Sequence, residues 1–374
     1  MAREYNYYGD SYGSKSERQS LAWVVAKIIF MLVATGAAVL LALTLFTPIV
    51  NPAVWSVFPL LGVAAPVVYI VNFAFAMVLI VRWKLKFALP IIVLLLIGGG
   101  KISRYAKMDF STHYDTPSYR GTTKIMSFNL RSHFNDQGEW STPELITLLD
   151  SISPDILCVQ EFNLREFNKH ASTKLKKLNL HNHSELGIFS RYPIVAKSEY
   201  ILLNNEDDGA SRVIWADLKI SNDTIRVFNC HLTSTTINKS DDEYISSQEF
   251  IADSKREYKF RDMVYRLKRS AITRAQHADS IAHIIALSPH KVVVCGDFND
   301  TPMSYTYRAM AQDLNDSFSE SGVGFPYTYR GFMNMLRIDY ILACDDIEFK
   351  SYMVDTGIDI SDHHPVISRF SILK

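Results

Sequence analysis

The chain has 374 residues, of which 48% are hydrophobic and 21% are charged, a composition that excludes a wholly disordered protein. Its 39 basic and 39 acidic residues give no net charge, which excludes a histone-like basic protein and an acidic disordered tail. The charges are unevenly placed, because residues 1–108 hold ten Lys or Arg and three Asp or Glu. The chain therefore joins a basic N-terminal part to an acidic remainder.

A long apolar stretch begins soon after the N-terminus. Residues 28–81 contain no charged side chain, and one membrane span needs about 20 apolar residues. The segment T-P-I-V-N-P at 47–52 is the natural break, since Pro and Asn disfavour a continuous helix. We therefore predict transmembrane helices at about 21–47 and 53–81.

A second apolar segment, residues 87–100, fits a short span, a re-entrant segment or a buried helix. We favour a third transmembrane helix at 87–103, which makes residues 21–104 a transmembrane region. The N-terminal tail and the loop with Arg82, Lys84 and Lys86 carry positive charge, whereas the first loop carries none. By the positive-inside rule, residues 1–20 form a cytoplasmic tail. The same rule places the chain after the third helix on the outer side of a cell membrane, periplasmic or extracellular, in a multi-pass protein.

The remaining residues read as a linker, 105–119, and one large α/β domain, 120–374. Helical patterns occupy 143–151 and about 260–287. Short apolar or β-branched runs predict buried strands at 124–129, 156–160, 186–190, 213–220, 225–231, 291–295, 337–342 and 365–370.

Polar side chains stand where these predicted strands end, which is where α/β enzymes assemble their sites. The set is rich in carboxylates, amides and imidazoles, and such oxygen-rich sets suit a hard cation such as Mg²⁺ or Mn²⁺. Its members are Asn129, Glu161, Asn229, His231, Asp297, Asn299, Asp339, Asp362 and His363.

Seven short segments carry a resemblance to the endonuclease/exonuclease/phosphatase superfamily, the DNase I-like and exonuclease III-like proteins. They follow one another in the family's order across the whole of 120–374, which makes chance agreement very improbable. The segments are S-F-N-L-R at 127–131, V-Q-E at 159–161, G-I-F-S-R-Y-P-I at 187–194, N-C-H-L at 229–232, G-D-F-N-D-T-P at 296–302, R-I-D-Y-I-L at 337–342 and S-D-H-H-P-V at 361–366.

The resemblance implies a four-layer α/β/β/α sandwich (DNase I-like), here preceded by an N-terminal transmembrane helical region. It also implies that 120–374 is a catalytic domain which hydrolyses phosphoester bonds with a divalent metal, Mg²⁺ or Mn²⁺. The expected partners are the membrane lipid bilayer and a phosphoester substrate, which is a nucleic acid, a phospholipid or a small phosphoester. No protein partner is implied.

Family-based roles divide the site residues into three groups. Glu161 resembles the metal-binding glutamate, and Asn129 and Asp362 are expected beside the same metal. Asn229 is expected to line the substrate pocket, more weakly than the others. The expected catalytic residues are His231, Asp297, Asn299, Asp339 and His363.

Each catalytic residue has an expected task. Asp297 and Asn299 would position or deprotonate the attacking water, and two residues apart on an extended chain they face the same side. His363 would be held in one tautomer by Asp339, and His231 would donate to a phosphoryl oxygen.

Residues 233–270 form a polar insertion after His231, and 255–274 within and beyond it carry eight basic and two acidic residues. This basic segment fits nucleic-acid phosphates, anionic lipid headgroups or a solvated helix face. For the whole protein, the competing hypothesis to an enzyme is a catalytically silent, membrane-tethered binding module with the same fold.

Overall fold

The computed structural model describes residues 20–108, 119–135, 137–203, 210–235 and 254–373. Most of the predicted tail 1–20, residues 109–118 of the predicted linker and residues 236–253 of the insertion lie outside the described residues.

Three N-terminal helices are long and apolar enough to cross a membrane: α1 (Leu21–Thr44), α2 (Phe58–Val81) and α3 (Leu85–Ile102). The first ends earlier and the second begins later than expected, since consecutive turns occupy the residues between them. One of these turns is an Asx turn, in which the side chain of Asn51 accepts from the backbone N–H of Ala53 at 2.9 Å.

The described part of residues 119–373 contains twelve strands in two six-stranded sheets. The first sheet has the order β11-β12-β1-β2-β4-β3, and the second has the order β5-β6-β7-β8-β10-β9. The strands are β1 Thr123–Asn129, β2 Ile156–Gln160, β3 Asn179–His183, β4 Leu186–Ser190, β5 Ile194–Leu203, β6 Ala210–Ile220, β7 Asp223–His231, β8 Lys291–Asp297, β9 Asn315–Asp316, β10 Asp339–Ala343, β11 Ile347–Val354 and β12 Val366–Ile372.

Among the described residues, six further α-helices and two short 3₁₀ helices accompany the sheets. The 3₁₀ helices are Arg131–His133 and Leu175–Lys177. The α-helices are α4 Thr142–Ile152, α5 Leu164–His170, α6 Ser254–Ala286, α7 Tyr305–Met310, α8 Ser317–Ser321 and α9 Gly331–Asn334.

Three buried clusters show that the sheets and helices form four layers. Apolar side chains of both sheets, such as Ile188 and Ile341, fill the space between the sheets. Leu145 of α4 packs on the outer face of the first sheet, and Ile281 of α6 packs with Phe228 on the outer face of the second. The predicted α/β/β/α sandwich, preceded by apolar helices, is therefore confirmed.

Strand register decides which polar residues meet. Strands β7 and β8 are parallel with His231 opposite Asp297, and antiparallel β10 places Asp339 opposite Asp297 on the other side. In the other sheet, β1 and β2 are parallel, so Asn129 pairs with Gln160 and Glu161 follows directly. The polar residues at the strand ends of both sheets therefore lie at the same edge of the sandwich.

Candidate active site

His363, Asp339 and Asp297 form a buried triad of acid and imidazole groups at this edge. Nδ1 of His363 lies 2.9 Å from Oδ2 of Asp339, and its Nε2 lies 3.7 Å from Oδ2 of Asp297. One ligand atom from each of the three residues lies within 4.8 Å of the others. The structure therefore brings these three predicted catalytic residues into direct contact.

Burial and mutual charge shift the protonation equilibria of this group. Burial and the neighbouring charge of Asp339 raise the pKa of Asp297 to about 6. Burial opposes the charged imidazolium, but the carboxylates of Asp339 and Asp297 outweigh it and raise the pKa of His363 to about 10. A carboxylate that titrates near neutrality beside a cationic imidazole is suited to exchanging a proton with a bound water.

Asn129 links the carboxylates of the two sheets. Its Nδ2 donates to Oε1 of Glu161 at 3.2 Å and to Oδ2 of Asp297 at 3.0 Å. Its Oδ1 accepts from the backbone N–H of Arg131 at 3.0 Å. In this arrangement Asn129 orients two acids through its nitrogen, whereas a ligand bond to a metal would use the oxygen.

The backbone at two of the predicted residues is left-handed. Glu161 has φ +49° and Asn299 has φ +52°, conformations that cost free energy for residues other than glycine and cluster at functional sites. At Asn299 the conformation lets its N–H donate to Oδ1 of Asp297 at 2.8 Å, while its Nδ2 donates to the carbonyl of Leu232 at 2.9 Å. Asn299 thus fixes the carboxylate that faces it.

His231 has a partner that the sequence analysis did not identify, Glu185 in the turn between β3 and β4. Nδ1 of His231 lies 2.9 Å from Oε1 of Glu185, which also accepts from Arg212 at 2.8 Å. Nε2 of His231 lies 4.0 Å from both Glu161 and Asp297. Burial disfavours the imidazolium, yet the bond and charge of Glu185 prevail and raise the pKa of His231.

Asn229 was predicted to bind substrate, and the structure places it between the two sheets rather than in the lining of the cavity. Its Nδ2 donates to the carbonyls of Val159 and Gly187 at 2.9 and 3.0 Å, and its Oδ1 accepts from Gln160 at 2.6 Å. The side chain is fully buried between the sheets. Asn229 lies on the same face of β7 as His231, two residues further from the end of the strand. Its hydrogen bonds to Val159 and Gly187 connect the second sheet to the first.

Most of the predicted site residues line one cavity of about 130 Å³. Its lining includes the predicted residues Glu161, Asp297, Asn299, Asp362 and His363. Asp362 is half-buried and lies 3.5 Å from Nε of Arg131.

Two further lining residues, Arg274 and Val63, were not predicted for the site. Arg274 belongs to the basic segment, but it is buried and pairs with Asp300 at 3.5 Å. Val63 comes from α2, one of the helices long enough to cross a membrane.

The lining fits a hard divalent cation by its donor chemistry. Glu161 and Asp362 offer carboxylate oxygens to the same cavity as Asp297, and Mg²⁺ and Mn²⁺ prefer such ligands. Within the described part of the chain, no donor lies in hydrogen-bonding range of the buried Oδ1 of Asp339. An unpartnered carboxylate oxygen in a buried acidic group is consistent with a cation nearby.

Two family models match the chain. Residues 126–363 match the model described as the endonuclease/exonuclease/phosphatase family, and this range contains all nine predicted site residues. Residues 26–105, which include most of α1 and all of α2 and α3, match a model described as a domain of unknown function (DUF8431). No curated protein matches the chain.

Several solved structures are similar to the chain. An endonuclease/exonuclease/phosphatase from Bacteroides vulgatus is 17% identical, with a TM-score of 0.48, and the match covers 67% of this chain and 99% of that one. A mannosyl-6-phosphatase from Bacteroides thetaiotaomicron is 17% identical, with a TM-score of 0.48 and 67% and 100% covered. D. rerio TDP2 complexed with a single-strand DNA product is 15% identical, with a TM-score of 0.46 and 67% and 99% covered.

Proposed function

The chain belongs to the endonuclease/exonuclease/phosphatase family, and we propose on that premise that it is a membrane-anchored hydrolase of phosphoester bonds that depends on Mg²⁺ or Mn²⁺. The observation that carries the proposal is the buried set of Asp297, Asp339 and His363, which opens into the same cavity as Glu161. Members of this family hydrolyse phosphoesters, and this set has the acid, base and oxygen-ligand chemistry that the reaction needs.

In the proposed reaction, Asp297 receives a proton from a water molecule as the water oxygen attacks phosphorus. The Asn299 N–H holds Oδ1 of that carboxylate at 2.8 Å, so the other oxygen is left to direct the water. The bond from phosphorus to the ester oxygen breaks, and the leaving group takes up a proton on that oxygen to become an alcohol.

The two histidines stabilise negative charge on the phosphoryl group in this proposal. His363 is cationic at neutral pH, since the neighbouring acids raise the pKa of His363 to about 10. Its Nδ1 is bound to Asp339, so Nε2 is the nitrogen that faces the cavity. His231, held by Glu185, offers a second imidazole from the opposite sheet.

The proposed metal ligands are Glu161 and Asp362, with Asn129 holding Glu161 in place from 3.2 Å. A bound divalent cation would polarise a phosphoryl oxygen and offset the charge that develops there.

We propose the same division of the chain as the sequence suggests, with 21–104 in the membrane and 120–374 as the catalytic domain. The contact between Lys101 and the carbonyl of Leu45, 2.6 Å, supports three spans, because it puts the end of α3 beside the end of α1. With the N-terminus cytoplasmic, the catalytic domain is then outside the cell membrane. Protection of this domain from protease added to intact cells, with an outer-side control cut, would contradict the orientation.

The full-length protein in detergent micelles tests the proposed activity with bis(p-nitrophenyl) phosphate after removal of metal by EDTA. We expect nitrophenolate release only after Mg²⁺ or Mn²⁺ is added, and a loss of about 10²-fold or more in His363→Ala. His183→Ala, at a partly exposed position on β3, is the matched control and should retain the rate. Equal rates in wild type and His363→Ala would overturn the site, and no hydrolysis with either cation would favour the silent binding module.

A further inference from the structure

The cavity of the proposed active site has a wall formed by a membrane-type helix. Val63, the sixth residue of α2, lines the same cavity as Glu161, Asp297 and His363. A helix of 24 residues rises about 36 Å, and the hydrocarbon core of a bilayer is about 30 Å thick. If the middle of α2 lies at the middle of the bilayer, the first turns of α2 lie at the boundary between hydrocarbon and headgroups. The cavity therefore opens at the surface of the bilayer.

Hydrogen bonds connect the loop that follows β8 and carries Asn299 to the first turns of α2 and to the turn after α1. Oγ1 of Thr301, two residues after Asn299, donates to the carbonyl of Gly62 at 3.3 Å. Oγ1 of Thr47 donates to the carbonyl of Met303 at 2.6 Å. A Cβ at Gly62 would lie 3.0 Å from that same carbonyl oxygen, so a larger residue there would push helix and loop apart by a few tenths of an ångström.

Apolar packing strengthens the same junction. Met303 is fully buried against Leu41, Ala65 and Tyr69 of the membrane helices. Tyr105, just after α3, is buried in the same cluster and donates to the carbonyl of Gly62 at 3.3 Å. The cavity is thus held at one depth relative to α1 and α2 by buried contacts from two segments of the chain.

The other sides of the cavity are also partly apolar. Leu267 and Leu336 line it together with Val63. Leu267 belongs to α6, which packs against α2. On the N-terminal side of Leu267, α6 exposes Tyr258 and Tyr265, 75% and 60% exposed. Aromatic side chains of this kind are enriched at the interface between membrane and water.

The charge of the cavity disfavours a nucleic-acid chain as its occupant. Binding of nucleic acid depends on cations that neutralise successive phosphates. Arg274 lines the cavity, but it already donates to the carbonyl of Thr233 and to Thr235 and faces Asp300. The cavity offers one proposed metal site for a phosphate and an apolar wall of Val63, Leu267 and Leu336. These features fit a molecule that has one phosphate group and an apolar body.

We propose that the substrate is a phospholipid of the same membrane, with its phosphodiester in the cavity and its acyl chains in the hydrocarbon beside α2. This inference rests on the proposed hydrolase function. Water adds its oxygen to phosphorus, one ester bond of the lipid phosphate breaks, and the leaving oxygen takes up a proton. The products are one alcohol and one phosphomonoester, and the acyl chains stay in the bilayer on one of the two.

The full-length protein reconstituted with Mn²⁺ or Mg²⁺ in vesicles of phosphatidylcholine and phosphatidylglycerol tests this inference. Each lipid is labelled in its acyl chains in turn, and labelled diacylglycerol or phosphatidate is measured. Bis(p-nitrophenyl) phosphate and a single-strand oligonucleotide are offered to the same vesicles in parallel. We expect a labelled lipid product that forms faster than either soluble substrate is cleaved.

The outcomes separate the two proposals. Cleavage of bis(p-nitrophenyl) phosphate without any lipid product would overturn the phospholipid inference and leave the hydrolase function standing. Faster cleavage of the oligonucleotide than of either lipid would also overturn it. Cleavage of none of these substrates would contradict both proposals.

A variant pair on α2 adds a second measurement. Val63→Trp fills the apolar wall and should lower the ratio of lipid to soluble-diester hydrolysis by about tenfold. Val78→Trp, near the opposite end of α2 and 43% exposed, is the matched control and should leave the ratio unchanged. An equal ratio in wild type and both variants would overturn the placement of the lipid beside α2.

Discussion

Nδ1 of His363 lies 2.9 Å from Oδ2 of Asp339, and both side chains are buried. This bond decides which nitrogen of the imidazole faces the cavity, because it ties Nδ1 to the side chain of Asp339. Nε2 is then directed towards Oδ2 of Asp297 at 3.7 Å. The orientation of His363 therefore depends on an acid that does not itself line the cavity.

Asp339→Asn should lower kcat for bis(p-nitrophenyl) phosphate by about 10²-fold, with a smaller effect on KM. The amide cannot supply the negative charge that stabilises the imidazolium, so the ring is held less firmly in its orientation and loses its proton more easily. Asp346→Asn, on an exposed turn, is the control and should retain the wild-type kcat. A wild-type kcat in Asp339→Asn would contradict the role of this acid in positioning His363.

Glu161→Gln should raise the concentration of Mg²⁺ or Mn²⁺ that gives half-maximal activity by about 10-fold or more. The carboxylate is a hard anionic ligand, whereas the amide is neutral and offers one oxygen. Calorimetric titration of the cation into the metal-free protein measures the same loss without any substrate. Glu348→Gln, which is exposed on β11, should bind the cation as wild type does. Unchanged affinity in Glu161→Gln would remove Glu161 from the proposed metal site.

Glu185→Gln should lower kcat about tenfold, equivalent to about 1.4 kcal/mol, without a comparable change in Tm. Glu185 acts through His231, since it accepts from Nδ1 at 2.9 Å and raises the pKa of His231 against the effect of burial. Glu199→Gln, a half-exposed position on β5, serves as the control. A fall in Tm with kcat intact would make Glu185 a structural residue and contradict its positioning role.

His133 should make the fold less stable in acid. Burial lowers the pKa of His133 from 6.5 to about 4, so the unfolded chain takes up a proton at a higher pH than the folded chain does. The stabilisation is complete above pH 6.5 and is lost as the pH falls towards 4. Between pH 7.5 and pH 5 the loss is about 2 kcal/mol.

The Tm of the full-length protein in detergent, measured across this pH range, checks the expectation. The ring of His133 contacts Thr142 at 3.1 Å and accepts from the backbone N–H of Asn163 at 3.1 Å. His133→Gln lacks the titrating group, so its Tm should depend less on pH even if it is lower throughout. The same pH slope in both proteins would contradict the assignment.

Sequence motifs identified much of the candidate site because neighbouring residues in the chain also act together. Asp297 and Asn299 are two residues apart, and the structure joins them by a hydrogen bond of 2.8 Å. His363 lies three residues before β12, at the edge of the sandwich where β8 ends at Asp297. In such cases local spacing and strand ends are sufficient to predict proximity.

Contacts between distant segments could not be predicted in this way. Glu185 lies in a tight turn 46 positions before His231, and no spacing rule connects them. Arg274 was counted within a basic segment, yet its partner Asp300 removes it from the solvated face. Asn229 was expected in the pocket because it ends a buried run, but its depth between the sheets depends on how far apart they pack.

Four strands were missed, and all four lie at sheet edges: β3, β5, β9 and β11. β9 has only two residues, too few to show an apolar period. β3, β5 and β11 carry exposed polar or charged residues, because β3, β5 and β11 lie at the sheet edges. Edge strands bury one face less completely, so their apolar period is weak. The contact between α2 and the loop at Thr301 also joins positions far apart in the chain, so hydropathy alone gave no indication of it.

Single-turnover hydrolysis of bis(p-nitrophenyl) phosphate in water enriched with oxygen-18 tests most directly whether Asp297 directs water onto phosphorus. Mass spectrometry of the p-nitrophenyl phosphate and of the protein locates the heavy oxygen. We expect one oxygen-18 atom in the phosphate product and none in the protein. Heavy oxygen in the peptide that contains Asp297 would show that the carboxylate itself attacks phosphorus, and would contradict the account.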